Sequence, residues 1–335
     1  MTTPTPTRAP TPAPARRTTY ADLDAWRAYE RWFPERMRAD ATTSPREEWW
    51  SWRGLDVHLD RMENPSARLK VIVLHGVGAY GRVMAPAAVL ARKHGFETVA
   101  PDLPGFGLTR VPRRKLTYEL WIDCVTDLIE LERARDDRPV ALFGVSLGGL
   151  LGYQAAARSR HVAGLVATTL ADPREPAVRK DFAKNRALGG PGLWLLQKLR
   201  WLTDGLPLPM AHVSKMDRIS NTPELSRLVS RDRMGGGSWV PARFLRTMLS
   251  AAPALEPEAF DVCPVLLAHP GEDRMTAIAH SQRFFERLAG AKRMVVLDGA
   301  SHMPTESPGI DQLESSVLAF LDSLDVTTAR APGAC

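Results

Sequence analysis

Short runs of apolar and β-branched residues recur along the chain, each breaking off into a segment rich in glycine, aspartate or histidine. Val71-Ile72-Val73-Leu74, Val140-Ala141-Leu142-Phe143, Val162 to Leu170, Pro264 to Ala268 and Met294-Val295-Val296-Leu297 each read as a buried strand, because such a run leaves no polar side for water. Between them the apolar positions take helical spacing, as in Leu120 to Leu131, and a small-residue segment runs from Gly148 to Ala157. Strands alternating with helices predict a parallel sheet covered on both faces, the α/β class. Trp49 to Leu59 alternates around Arg53-Gly54 and predicts an opening hairpin, with His58 pointing outward and playing no part. Earlier still, Leu23, Trp26, Tyr29 or Glu30, and Phe33 recur on one side of a helix, so a leading helix is expected to pack on the sheet.

The longest interruption separates the strand ending at Leu170 from the one beginning near Val262. It is too long for a loop. Helical patterns run from Val178 to Leu188, from Leu193 to Leu202, from Thr222 with Pro223 in the first turn, and from Val240 to Leu249. The domain reading is a disordered tail at 1–18, a leading helix within 19–48, core at 49–172, a helical insert at 173–261, core again at 262–325, and a C-terminal tail at 326–335. The insert carries Leu193, Trp194, Leu195, Leu196, Leu199, Trp201, Leu202, Met210, Met216, Met234 and Met248. Two readings stand for this set: packing of the insert onto the core, or the lining of an apolar pocket. Gly235-Gly236-Gly237-Ser238 is read as a hinge or as a close-packed turn.

Chemistry enters at Gly144-Val145-Ser146-Leu147-Gly148, which joins the strand at Val140 to the small-residue segment after it. A serine in such a strand-turn-helix junction is lifted on strained backbone above the sheet edge, and glycines let strand and helix pass closely. Ser146 is therefore the candidate nucleophile. The strand at Pro264 runs into His269-Pro270-Gly271-Glu272-Asp273, where Asp273 is the candidate acid, with Glu272 and the more distant Asp172 as competitors. The strand at Met294 runs out into Asp298-Gly299-Ala300-Ser301-His302, where His302 is the candidate base, while His269 reads as structural.

Serine, acid and histidine in this chain order, from Trp49 to about Leu324, resemble the α/β-hydrolase fold family, and faintly its monoglyceride lipase and lysophospholipase branch. The resemblance implies a mostly parallel eight-stranded sheet flanked by helices, with a helical cap inserted after the sixth strand. It matches His75-Gly76-Val77-Gly78 to the family's oxyanion loop, so the amides of Val77 and Leu147 are the expected oxyanion donors. Pro101 to Thr109 matches a loop read as structural. Pro270 and Ser301 stand where the family usually has glycine, so the acid and base loops are expected to be shaped unusually. The implied activity is hydrolysis of a carboxylic ester with an apolar acyl chain; thioesters, lactones and activated carbon–carbon bonds are the alternatives within the fold, and a non-catalytic ligand binder lies outside them.

A rival pattern overlaps the oxyanion loop. Gly76-Val77-Gly78-Ala79-Tyr80-Gly81 satisfies a dinucleotide fingerprint, with Asp102 at the spacing of a ribose-binding acid. It leaves Ser146, Asp273 and His302 without a shared role, so no cofactor is expected. The eight histidines and three cysteines show no metal-ligand spacing. At 335 residues and 44% hydrophobic the chain can bury a large core without disulfides, and its scattered cysteines suit a reducing compartment. Met1 to Arg17 has no apolar stretch, so the expectation is a cytoplasmic protein with no transmembrane segment. The net charge of +6, lacking aromatic interleaving, is read as solvated basic surface with no nucleic-acid partner. The oligomeric state is not readable from the sequence.

Overall fold

The computed structural model describes residues 17–40, 43–184 and 193–324. The expected tails, the end of the helix expected over Val178 to Leu188, and Cys335 lie largely or wholly outside them. Ten strands follow in chain order: β1 (Arg46–Trp52), β2 (Leu55–Met62), β3 (Lys70–Leu74), β4 (Glu97–Pro101), β5 (Val140–Gly144), β6 (Gly164–Ala167), β7 (Pro207–Pro209), β8 (Trp239–Pro241), β9 (Val265–Pro270) and β10 (Lys292–Leu297). Eight of them form one sheet in the order β1-β2-β4-β3-β5-β6-β9-β10. Only the β1–β2 and β2–β4 pairings are antiparallel, so the mostly parallel eight-stranded sheet implied by the family resemblance is present.

Helices cover both faces. α1 (Arg27–Glu30), α2 (Ala85–Lys93), α3 (Tyr118–Arg135) and α4 (Leu147–Ser159) precede a long insertion after β6. Within it stand α5 (Pro176–Phe182), α6 (Leu193–Lys198), α7 (Arg200–Thr203), α8 (Met210–Val213), α9 (Pro223–Arg231) and α10 (Ala242–Met248), with β7 and β8 paired as a separate two-stranded ribbon. α11 (Ile278–Arg287) and α12 (Gly309–Ser323) complete the core. Neighbours β4 and β5 flank β3 on opposite sides, which makes the carboxyl ends of β3 and β5 the crevice where the chain's winding reverses. Four segments of interest leave the sheet at that same edge: Val77 after β3, Ser146 after β5, Asp273 after β9 and His302 after β10.

The leading segment is not one helix. It consists of single turns at Tyr20–Asp22, Arg27–Glu30 and Glu35–Met37. Helices this short gain little from propensity, and side-chain anchors fix the path instead. Tyr20 OH donates to Asp102 at 2.7 Å, Trp26 Nε1 to the Tyr20 carbonyl at 2.9 Å, and Tyr29 OH to Asp232 at 2.9 Å. The last of these joins the leading segment to the end of α9 in the insertion.

Candidate active site

Three loops bring Ser146, His302 and Asp273 into one hydrogen-bonded line. The Ser146 hydroxyl donates to His302 Nε2 at 2.7 Å, and His302 Nδ1–H donates to Asp273 Oδ2 at 2.7 Å. The other Asp273 oxygen accepts the amides of Met275 at 2.7 Å and Thr276 at 2.8 Å. Burial alone would raise the Asp273 carboxyl, but the charge and hydrogen bond of His302 and these two amides outweigh it and hold the group below the usual carboxylate range. Of the competing acids, Asp172 is paired with Arg174 at 2.6 Å and Glu272 accepts Asn221 Nδ2 at 3.0 Å.

Local backbone explains how the hydroxyl reaches the imidazole. Ser146 has φ 57° and ψ −131°, a region that costs a non-glycine residue about 1–3 kcal/mol. Close packing holds it there. A Cβ at Gly144 would lie 2.2 Å from the Gly148 carbonyl oxygen, and one at Gly148 would lie 2.4 Å from the Leu74 oxygen. Strand β5, helix α4 and the end of β3 are thus in backbone contact, which only glycine permits. A Cβ at Gly76 would come within 2.8 Å of Ser146 Cβ and 3.2 Å of Leu147 N, so the loop carrying Val77 lies directly against the serine turn. Among the described residues, neither the Val77 nor the Leu147 amide donates to a protein acceptor.

His75 fixes that loop from behind. It is buried, its Nδ1–H donates to the Gly76 carbonyl at 2.8 Å, and its Nε2 accepts the Leu103 amide at 3.0 Å. Burial pushes its pKa down to about 4, so the ring is neutral and its tautomer is set by the two bonds. Asp102 holds the far end: it accepts Tyr20 OH, the Leu108 amide at 2.8 Å and the Gly81 amide at 2.7 Å. Those bonds dispose of the dinucleotide pattern. The acid that would bind a ribose is buried, and one of its oxygens is bound to the last glycine of the fingerprint itself.

Two recesses meet at Ser146. The larger, about 820 Å³, lies under the insertion and is lined by Leu196, Leu208, Met210, Met216, Leu245 and Met248 among others, with Val77 and Leu147 beside the serine. The smaller, about 470 Å³, shares Val77, Ser146 and Met275 with it and includes His302. The insert's apolar set therefore divides. Leu196, Met210, Met216 and Met248 line the larger recess, whereas Trp194, Trp201 and Leu202 are exposed, as neither reading of the set predicted; the side chains of Leu193 and Leu195 lie outside the described ones. The Gly235-Gly236-Gly237 run is close-packed: a Cβ at Gly235 would lie 2.5 Å from the Gly78 oxygen, and one at Gly236 2.6 Å from the Val229 oxygen.

The family described as "Serine aminopeptidase, S33" (Hydrolase_4) matches residues 65–308 of the chain. The chain belongs to the S33 family. It is accordingly a hydrolase of the α/β type. A relative, Phospholipase YtpA of Bacillus subtilis (strain 168), is 24% identical over 281 residues, covering 82% of this chain and 98% of that protein. Among solved structures, the monoacylglycerol lipase of Paleococcus ferrophilus matches with a TM-score of 0.63 at 22% identity, over 80% of this chain and 99% of that one. A soluble variant of monoglyceride lipase from Saccharomyces cerevisiae, in complex with a substrate analog, matches with a TM-score of 0.68 at 14% identity, over 87% and 98%. At those identities the two structures establish the fold. No helix among the described residues of this S33 hydrolase is long and apolar enough to cross a membrane.

One residue that sequence reasoning set aside is central to the S33 core. His58 does not face outward; it is fully buried. Its Nε2 contacts Glu47 at 2.9 Å and Asp60 at 3.8 Å, and its Nδ1 forms an ion pair with Asp102 at 3.3 Å. Burial works against its charge, but bonding to Asp102 and Glu47 overcomes this and raises its pKa to about 9. Arg82 joins the cluster by donating to Asp60 at 2.8 Å. Alternation failed here because β2 is buried on both faces from Val57 onward, the leading segment covering what would be the solvent side. Where the loops depart from the family pattern, local bonds replace glycine: Ser301 Oγ donates to Glu306 at 2.9 Å, and the Glu272 amide ties the acid loop to the Ala300 carbonyl at 2.9 Å.

Proposed function

We propose that this S33 hydrolase cleaves carboxylic esters with an apolar acyl chain, with Ser146 as nucleophile, His302 as general base and acid, and Asp273 orienting the imidazole. The continuous hydrogen-bonded line from Ser146 to Asp273, at the mouth of an apolar recess, carries this reading. His302 takes the Ser146 proton as Oγ bonds to the ester carbonyl carbon, and the carbonyl π pair moves onto oxygen. The amides of Val77 and Leu147 receive that oxyanion; two fixed donors of this kind stabilise it by about 3 kcal/mol each. The pair returns, the carbon–oxygen bond to the alcohol breaks, and His302 delivers its proton to the leaving oxygen. Water, deprotonated by His302, then releases the acyl group from Ser146.

Residues 173–261 act as the cap, and the larger recess beneath them holds the acyl chain. The relatives lend support through their names, a phospholipase and two lipases of acylglycerols. The test is labelling by a fluorophosphonate probe together with turnover of p-nitrophenyl esters of two to sixteen carbons. Wild type labels and turns over, and Ser146→Ala loses labelling and on the order of 10⁴-fold or more in rate. Equal labelling and rate in the variant would exclude Ser146 as the nucleophile.

A further inference from the structure

Which side of Ser146 receives the leaving group follows from proton transfer. His302 must hand its proton to the departing oxygen, so that oxygen has to face the imidazole. Of the two recesses at Ser146, the smaller includes His302 and the larger does not. The smaller one is therefore the leaving-group side.

Its lining decides what alcohol fits. Apart from Ser146 and His302, the side chains bordering it are Val83, Met84, Ile219, Val229 and Met303, with other apolar neighbours and Tyr29. The Tyr29 hydroxyl is already committed to Asp232. A glycerol moiety placed here would lose water from two hydroxyls and find, beyond the reacting groups, only the acceptor side of the Tyr29 oxygen as a side-chain partner, which disfavours it. An alkyl or aryl group would gain from the same surface. The apolar path also continues. A further recess of about 400 Å³, bordered by Phe33, Met37, Phe143, Ile310 and Leu313, shares Val83, Met84, Val145 and Met303 with the first. It runs between α2 and α12, away from the insertion.

We propose that the substrate is an ester apolar on both sides of the carbonyl: its acyl chain lies under the insertion, and an alkyl or aryl alcohol lies along Val83, Met84, Ile219 and Met303. This rests on the ester-hydrolase reading above and separates the protein from an enzyme for acylglycerols.

The test keeps the acyl group constant and varies the alcohol, comparing kcat/KM for methyl, hexyl, benzyl and glyceryl octanoate. Hexyl and benzyl octanoate are expected to exceed glyceryl octanoate by at least about 20-fold, since a site with unpaired or absent polar partners discriminates in this range. Ile219→Asn, at a half-buried position, should shift the glyceryl-to-hexyl ratio towards glyceryl by about fivefold or more. Glyceryl octanoate turned over as well as or better than hexyl octanoate would overturn the proposal while leaving the hydrolase reading intact. Absence of turnover for every octanoate ester, methyl included, would remove both.

Discussion

Gly144 and Gly148 beneath Ser146 and Gly205 on the exposed side of the insertion have opposite surroundings, although Gly235 and Gly236 pack the inner side of the insertion as closely as the core is packed. In the core, Gly144 and Gly148 sit where an added Cβ would strike backbone oxygens at 2.2 and 2.4 Å. In the insertion above, a Cβ at Gly205 would meet nothing within 4 Å, and Trp201 stands 81% exposed close by in sequence. The core holds Ser146 and the Val77 loop by backbone contact that admits little change of residue. The insertion surrounds a cavity with side chains, and its outer face is open. On the proposed reading, reaction type is set in the core, and substrate choice in the insertion and along the neighbouring apolar path.

The strongest test of the core is to exchange a carboxylate inside the hydrogen-bonded line and one outside it. Asp273→Asn should lower kcat by on the order of 10⁴-fold, because the amide presents a donor where His302 Nδ1–H needs an acceptor. Asp172→Asn, which disturbs only the pair with Arg174, should leave kcat within about threefold, as changes outside the reacting line usually do. Steady-state kinetics on a p-nitrophenyl ester would decide, and equal losses would return Asp172 to candidacy.

A matched pair of glycine substitutions tests the packing itself. Gly144→Ala forces a carbon into the Gly148 carbonyl and should destabilise by about 3 kcal/mol or more, since backbone on both sides leaves little room to relax. Gly205→Ala should change stability by less than about 1 kcal/mol, in the stabilising direction if the turn admits the side chain. Denaturant unfolding measures both; a severe loss at Gly205 would show that the exposed side of the insertion is as tightly specified as the core.

Much of the core was legible because its signals are local. A buried strand, a glycine-spaced serine and a histidine after the last strand each occupy a few consecutive residues. What was missed depends on distant contacts. His58 was misplaced because the covering surface comes from Tyr20, whose ring meets it edge-on at 5.1 Å, and the leading segment is broken by anchors to Asp102 and Asp232 that no periodicity records. Trp194 and Trp201 followed a helical pattern, yet spacing alone does not say whether a helix has anything to pack against.

The buried charges around His58 give the core a pH dependence at alkaline pH. His58 faces Glu47 from β1, Asp60 from its own strand and Asp102 after β4, with Arg82 bound to Asp60 and the Tyr20 and Trp49 rings alongside. Its pKa rises from 6.5 to about 9 on folding. A raised pKa means the contribution is fully present below 6.5 and is lost as pH climbs through about 9. The shift corresponds to a loss of about 3 kcal/mol. Urea midpoints between pH 6 and 10 should fall for wild type and fall less for His58→Gln; parallel curves would mean that His58 is not charged in the folded state.

A smaller, chain-length-dependent effect on activity is expected where a residue of the insertion lining the larger recess is altered. Met248 borders the larger recess from α10 and is nearly buried. Met248→Trp should fill part of the acyl path without touching the serine, histidine or amides. Each methylene denied burial forfeits about 0.8 kcal/mol, so two lost methylenes amount to roughly a tenfold fall in kcat/KM for the longest p-nitrophenyl esters. The optimum should move to shorter chains by at least two carbons. If instead every chain length fell by the same factor, Met248 would be supporting the active serine's geometry, and the division between a core that reacts and an insertion that selects would not hold.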